Sequence, residues 1–292
     1  MRTRLLLAGL AAASLTIAAA CGTGSAGQST GMSHSGGHAR SSMPGMSGSM
    51  PGMSMPSGNG LSGSVSGYTL NVHRQPMAGM AMPLTFTITR GGEPVTVFDP
   101  EQTKLMHFYL IRNDLTGFQH LHPTMNDAGT WSVTPSALTA GKYRVYTQFL
   151  PHADPNGGAL VTSRPITVAG KAASGAALPA PSGSTTVDDY TVAVTGRPNA
   201  GTETPLQISV SKNRKPVADL QPYLDTYAHV TAVHAGDLAF AHLHPAGATH
   251  GDHGGPTLTV HANLPVAGKY RMFIQFKTAN HLHTAAITLS AS

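Results

Sequence analysis

The sequence is almost devoid of cysteine, because Cys21 is the only one among 292 residues. A single cysteine cannot form an intrachain disulfide, and no thiolate site can exist in the chain that follows it. Any metal chemistry must therefore come from other side chains, with methionine as the soft ligand and histidine as the borderline one.

Charged side chains are also scarce, since Asp, Glu, Lys and Arg make up only 11% of the chain. The 18 Lys and Arg residues form no run or stripe, and the formal net charge is +5. A nucleic-acid-binding surface requires a concentrated basic patch, so we expect no nucleic-acid partner. Carboxylates are few, and none recurs beside both of the histidine motifs described below, so we expect no enzymatic activity.

The N-terminus has the features of a secretory signal. Arg2 and Arg4 precede a small-residue apolar stretch that ends at Ala20, which is too short and too rich in alanine for a permanent spanning helix. Cys21 follows directly, as in bacterial lipoprotein signals, where the cysteine carries the lipid. We expect residues 1–20 to be a signal peptide and lipidated Cys21 to hold the protein at the outer face of the cell membrane. The alternative is an ordinary secreted protein with a free cysteine.

Residues 21–63 consist largely of Gly, Ser, Met and Pro. This composition buries too little apolar surface to fold, and it predicts a disordered tether. The methionines recur among Gly, Ser and Pro rather than in apolar company, and thioether sulfur selects Cu(I), so they are candidate copper ligands; a plain spacer is the alternative. The candidates are Met43, Met46, Met50, Met53 and Met55, and the following module adds Met77, Met80 and Met82.

The remainder of the chain is one module written twice. A shift of 122 residues places Tyr68 on Tyr190, His107 on His229 and FQHLHP (118–123) on FAHLHP (240–245). Each copy contains short alternating segments separated by Gly, Pro and Asn, without a helical period. The pattern predicts an all-β protein with two tandem Ig-like β-sandwich domains: module 1 at 64–170, a linker at 171–186 and module 2 at 187–292.

The repeated HLHP motif is the strongest candidate for a metal site. Side chains at i and i+2 of a strand share a face, so both histidines of a motif can reach one ion. A hairpin turn would bring a histidine of the preceding strand back beside each pair. HLHT at 281–284, opposite Thr162 of module 1, offers module 2 a further histidine. The candidates are His107, His120 and His122 in module 1 and His229, His242, His244 and His283 in module 2.

We expect module 2 to hold Cu(II) or Zn(II) in an all-imidazole site inside its own sandwich. Module 1, which has one histidine fewer, is expected to draw on Met77, Met80 and Met82. The alternative is that the histidines are inert hydrogen-bonding residues copied by the duplication. The loop at 247–255, with His250, Asp252 and His253, is at most a secondary binder.

The segments MHFYLIRNDLTGFQHLHP and AHVTAVHAGDLAFAHLHP, each followed by an AGKYR strand, resemble a family of actinobacterial secreted proteins and lipoproteins. The resemblance covers residues 64–292 and implies a pair of β-sandwiches, with His229, His242, His244 and His283 as motif histidines. It implies no activity.

The combined expectation is an extracytoplasmic copper-binding lipoprotein, a chaperone or a sequestering protein. Its expected partners are the membrane, metal ions and another copper-handling envelope protein. A mononuclear copper or zinc enzyme and a cell-wall interaction module are the alternatives.

Overall fold

The computed structural model describes residues 56–154, 157–171, 174–247, 249 and 251–292. The signal peptide, Cys21 and the tail methionines lie outside these residues, so the predictions made for them stay predictions. Within the described residues, no helix has the length and apolar character needed to cross a membrane.

Module 1 is built from short strands. They are β1 Ser64–Val65, β2 Tyr68–Arg74, β3 Leu84–Arg90, β4 Glu93–Pro94, β5 Phe98–Asp99, β6 His107–Arg112, β7 Gln119–Leu121, β8 Thr124–Met125, β9 Thr130–Val133, β10 Gly141–Pro151 and β11 Leu160–Val168. One sheet has the order β1-β2-β3-β9-β8, with β4 on β3, and the other β11-β10-β6-β7, with β5 on β10. Two facing antiparallel sheets in this order form an Ig-like sandwich.

Module 2 repeats this plan. Its strands are β12 Ser184–Val187, β13 Tyr190–Thr195, β14 Thr204–Lys212, β15 Lys215–Pro216, β16 His229–His234, β17 Phe240–Pro245, β18 Thr257–Ala262, β19 Gly268–Thr278 and β20 His281–Ala291. The two sheets of module 2 are joined into one, because β17 also pairs with β18. The strand order is β12-β13-β14-β18-β17-β16-β19-β20, with β15 on β14. Residues 184–187 already form β12, so the second sandwich begins before the predicted boundary. The predicted all-β pair of tandem sandwiches is confirmed.

Each module encloses its own core. In β3 the apolar side chains of Leu84, Phe86 and Ile88 are fully buried, at 0% exposure. Phe86 stacks on Phe108 of the facing sheet, with ring centroids 5.5 Å apart. Truncating such a core phenylalanine to alanine costs about 3–5 kcal/mol, so contacts of this kind hold the two sheets of a module together.

A third apolar cluster lies between the modules, because the sheet that contains β6 and β10 is buried on both faces. Phe108 and Leu110 enter the core of module 1, whereas the alternate residues Tyr109 and Ile111 pack against module 2. A sheet covered on both sides is encoded by a continuous apolar run, and β6, HFYLIR, is such a run. We call this cluster the intermodule interface; it consists of Tyr109, Ile111, Leu115, Tyr146, Val161, Val233, Phe240 and Phe273.

The intermodule interface has approximate two-fold symmetry, in which repeat-equivalent residues of the two modules make equivalent contacts. Phe118 stacks on Phe273 with centroids 4.0 Å apart, and their repeat counterparts, Phe240 and Tyr146, pack at 5.0 Å. The Tyr146 hydroxyl also donates to the carbonyl of Leu238, at 2.6 Å. Because equivalent surfaces of the two copies meet, the first residues of β6 and β16 are brought together, and both are histidines.

Candidate metal centre at the intermodule interface

Strand β7 and the residue that follows it direct two histidines out of module 1. Leu121 packs against the module 1 core, so its neighbours His120 and His122 occupy the opposite face. Their rings lie 4.8 Å apart. The β6–β7 hairpin places His107 beside them, with ring centroids 5.3 Å from His120 and 5.2 Å from His122. The structure thus brings together the three histidines that the sequence assigned to module 1.

A further imidazole comes from the other module. The ring of His229 lies 4.6 Å from that of His120 and 5.8 Å from that of His107. One ring nitrogen of each of these three residues lies within 4.8 Å of the others, and their exposures are only 0–8%. The sequence predicted separate sites inside the two sandwiches, but His229 joins the module 1 histidines because the outer faces of the two sheets pack together.

Hydrogen bonding fixes the tautomers of two of these rings. Nε2 of His107 lies 2.9 Å from the carbonyl oxygen of Glu101, and Nδ1 of His120 lies 2.7 Å from Oε1 of Gln275. A carbonyl oxygen only accepts, so each of these nitrogens carries the proton of its neutral ring. The remaining nitrogens, Nδ1 of His107 and Nε2 of His120, are 3.0 Å apart. With Gln275 in this orientation two lone pairs face each other, an arrangement that a cation shared by the two nitrogens would stabilise.

Burial keeps the rings of His107 and His122 neutral. It lowers the pKa of His107 to about 4, against the opposing effect of the hydrogen bond to Glu101. Burial, together with the charges of His107 and Lys104, lowers the pKa of His122 to about 4. Metal ions bind the neutral imidazole, so both rings are in the binding-competent form at neutral pH without a proton having to be displaced.

The ring of His122 has a nitrogen without a partner. Its Nε2 is buried and makes no hydrogen bond within the described part of the chain. A buried ring nitrogen without a partner is costly, so His122, close to both His107 and His120, is available as an additional ligand.

Comparison with known proteins places the chain in a family. A profile described as "Domain of unknown function (DUF8832)" matches residues 63–161 and 185–292. The chain belongs to the DUF8832 family. The two matched segments correspond to the two sandwiches, so each DUF8832 domain is one module. No curated protein matches the chain.

Several solved structures match weakly. A tetra-tandem repeat from the extending region of a large adhesion protein shares 13% identity and a TM-score of 0.24, covering 76% of this chain and 48% of its own. The titin domains Z1Z2 share 12% identity, with a TM-score of 0.20 and coverage of 77% and 95%. Escherichia coli alpha-2-macroglobulin shares 13% identity, with a TM-score of 0.22 and coverage of 78% and 22%. At these scores the likenesses carry no functional information.

In the second DUF8832 domain, His283 lies away from His229. The prediction that the two residues share one metal site is wrong. His229 pairs with Gln275, whereas His283 pairs with the next residue, Phe276. Paired residues share a face and successive residues do not, so the two histidines lie on opposite faces of the sheet. The register also makes Leu160, rather than Thr162, the counterpart of His283, because Leu160 pairs with Phe149 as His283 does with Phe276.

His242 and His244 lie in β17, and the structure does not describe their side chains. Their backbone is described: His242 pairs with Thr231 of β16, as its counterpart His120 pairs with Tyr109 of β6. Leu243 between them is fully buried in the module 2 core. Their role as ligands stays a prediction. In the loop at 247–255, Asp252 and His253 are exposed.

The methionines of module 1 are remote from the histidines. Met77 forms a bridge with Ala169, next to the end of module 1 where β10 begins. His107 pairs with Gln148, near the other end of β10. Seven strand residues separate the two ends, or roughly 23 Å, so the expectation that Met77, Met80 and Met82 complete the module 1 histidine site is wrong. Met77 and Met80 are 49% and 54% exposed.

Three residues beside the histidines escaped the sequence analysis. Gln275 and Glu101 supply the hydrogen-bond acceptors described above, and Tyr109 stacks on His120 at 4.3 Å. The Tyr109 hydroxyl is 3.1 Å from Nε2 of His229, and burial raises its pKa well above the ordinary value. The signal that could have found Tyr109 is the continuous apolar run of β6, which indicates a second packing surface. Burial also raises the pKa of the Glu101 carboxyl to about 7.

Proposed function

We propose that the protein binds a copper ion at the intermodule histidine cluster and works as an extracytoplasmic copper-binding lipoprotein. The observation that carries the proposal is the 3.0 Å approach of Nδ1 of His107 to Nε2 of His120, with the proton of each ring held on its other nitrogen. Outer hydrogen bonds from ligand histidines to carbonyl oxygens are typical of metal sites, because they fix the ring and its tautomer.

The donor set suits copper. Two nitrogens 3.0 Å apart are close enough to share one ion at about 2.0–2.1 Å, and copper and zinc both accept imidazole ligands. The Met-rich tail favours copper between the two, because thioether sulfur selects Cu(I). His229 and His122 supply further imidazoles, and Zn(II) is the alternative occupant.

The cellular setting of the proposal comes from the sequence. The signal peptide would direct export, lipidated Cys21 would anchor the protein at the outer face of the cell membrane, and the tail methionines would bind Cu(I). The burial of the three cluster histidines favours retention of the ion over rapid exchange, and therefore sequestration over delivery. The proposal includes no enzymatic activity.

A purely structural role for the histidines, in an adhesion or cell-wall module, makes a different prediction. An ion that binds only the folded state raises the free energy of unfolding by about 2.7 kcal/mol at a hundred times its dissociation constant. A structural network would leave the melting temperature unchanged by copper.

The test is a Cu(II) titration of the purified protein, with His120→Asn as the variant and His152→Asn as the matched control. His152 is an exposed histidine that contacts Asp99 at 2.8 Å. We expect a tightly bound Cu(II) at this cluster, retained in His152→Asn and weakened at least 100-fold in His120→Asn. Equal affinity in both variants would contradict the proposal.

A further inference from the structure

A second histidine cluster lies at the edge of module 2, beside the turn of the β19–β20 hairpin. His281 and His283 occupy alternate positions of β20, and their rings are 4.8 Å apart. Asp188, in the turn between β12 and β13, approaches from the neighbouring element. One ligand atom of each of the three residues lies within 4.8 Å of the others.

The inner member of this cluster is held firmly. His283 is only 6% exposed, and its ring packs on Tyr190 and Phe276 at 4.6 and 5.0 Å. Its Nδ1 contacts Oδ2 of Asp188 at 2.5 Å, and its Nε2 contacts Oγ1 of Thr278 at 2.9 Å. Burial and two hydrogen bonds therefore fix the ring with Nδ1 directed at the carboxylate.

Module 1 shows that the fold does not require these polar groups. The counterpart of His283 by strand register is Leu160, which is buried in the module 1 core. The counterpart of Asp188 is Ser66, and both have the positive φ that the turn needs, 48° and 51°. A leucine and a serine thus suffice for folding in one copy. The other copy carries a buried histidine, a carboxylate and an exposed histidine at the same edge.

We propose that Asp188, His281 and His283 form a second cation site, which takes a divalent ion of the zinc class. Two imidazoles and one carboxylate with an open position are a common zinc ligand set. The ion would replace the proton between Nδ1 of His283 and Asp188. The ring proton would then reside on Nε2 and be donated to Oγ1 of Thr278.

The neighbouring Thr278 hydroxyl can hydrogen-bond His283 both with and without the ion. The Thr278 hydroxyl, 2.8 Å from the Tyr190 hydroxyl, donates to Nε2 of His283 in one state and accepts from it in the other. Ligands of one ion at about 2.0–2.1 Å lie roughly 3.3 Å apart, and the ligand atoms here lie within 4.8 Å of one another, so closure needs movements of at most about 1.5 Å. The side chains that move, His281 and Asp188, are exposed. This site is independent of the intermodule cluster.

The experiment is a Zn(II) titration of the full chain by calorimetry, with NMR of the histidine ring resonances. The variants are His281→Ala and Asp188→Asn, since the first is exposed and the second preserves the turn. His152→Ala is the matched control, because His152 makes the same kind of histidine–carboxylate contact with Asp99, at 2.8 Å, on another surface. We expect the wild type and the control to bind one more Zn(II) than either variant, or to bind it at least tenfold more tightly, with shifts of the His281 and His283 resonances.

A His120→Asn background separates this inference from the proposed function. One Zn(II) equivalent that survives His120→Asn and is lost on adding His281→Ala supports the edge site, whatever the intermodule cluster binds. Zinc stoichiometry and affinity that are unchanged by His281→Ala and Asp188→Asn in that background would overturn it.

Discussion

Nδ1 of His107 and Nε2 of His120 face each other at 3.0 Å across the buried side of the β6–β7 hairpin. The proton of each ring is committed to an acceptor on its far side, the carbonyl of Glu101 for one and the side chain of Gln275 for the other. Gln275 belongs to module 2, so the orientation of a module 1 histidine depends on the docking of the two modules.

Replacing Gln275 with leucine should weaken copper binding without removing a ligand. The change deletes the acceptor that holds Nδ1 of His120, and the loss of such an outer contact typically lowers metal affinity about 10–100-fold. The measurement is a competition titration with a Cu(II) chelator.

Gln207→Leu is the matched control for this variant, because Gln207 bonds Thr259 on an exposed surface, at 2.9 Å. Equal affinities in the two leucine variants would show that Gln275 does not orient the site.

Truncating Phe240 should lower copper affinity although it is not a ligand. Phe240 packs on Tyr109 and Tyr146 across the intermodule interface, with ring centroids 4.9 and 5.0 Å away. Its removal weakens docking, and we expect Phe240→Ala to lose about 3–5 kcal/mol of unfolding free energy together with at least tenfold in copper affinity.

Ile208→Ala provides the comparison, since Ile208 is buried in the separate core of module 2. This variant should be destabilised while the affinity of its folded fraction for copper stays at the wild-type value. If both variants retain full affinity, the site does not depend on docking.

The stability of the metal-free protein should decrease as the pH falls from about 6.5 to 4. The folded-state pKa of His107 is about 4, below the ordinary value, so the unfolded chain binds more protons in this window. The contribution of the neutral buried ring is complete above pH 6.5 and declines by up to about 1.4 kcal/mol per pH unit below it. His122 acts in the same direction.

Glu101 opposes this trend and can be removed to test it. Its pKa is raised to about 7, so its contribution is complete at low pH and is lost as the pH rises from about 4.5 to 7. We therefore expect Glu101→Gln to lose stability more steeply than the wild type between pH 7 and 5, as measured by urea unfolding. A flat profile in Glu101→Gln would mean that the histidines are not buried in their neutral form.

Substituting leucine for the tail methionines Met43, Met46, Met50, Met53 and Met55 should reduce Cu(I) uptake and leave Cu(II) binding intact. Leucine preserves length and apolar character but removes the thioether that selects Cu(I). The measurement is a Cu(I) competition assay under reducing conditions, with Leu at Met77, Met80 and Met82 as the comparison. Undiminished Cu(I) binding by the tail variant would show that the tail methionines are not the Cu(I) ligands.

The local arrangement of the module 1 histidines could be predicted from the sequence. The strand alternation at Leu121 predicted that His120 and His122 share a face, and the hairpin predicted that His107 returns beside them. These relationships depend on residues close together in the chain, where strand periodicity applies directly.

The packing of the two modules against each other could not be predicted from strand periodicity. It depends on which outer faces pack together, and the run HFYLIR of β6 indicates only that both faces are covered, not what covers them. The sequence repeat aligns His283 with Thr162, two residues from its structural counterpart Leu160, because strand register is fixed by pairing with β19 rather than by sequence similarity.

The most direct test of the central claim is X-ray absorption spectroscopy of the protein loaded with one equivalent of Cu(II), together with its melting temperature. We predict at least three imidazole nitrogens on the ion and a melting temperature raised by copper, with both effects lost in His120→Asn. A first shell of solvent and carboxylate oxygens, with no change in melting temperature, would contradict the account.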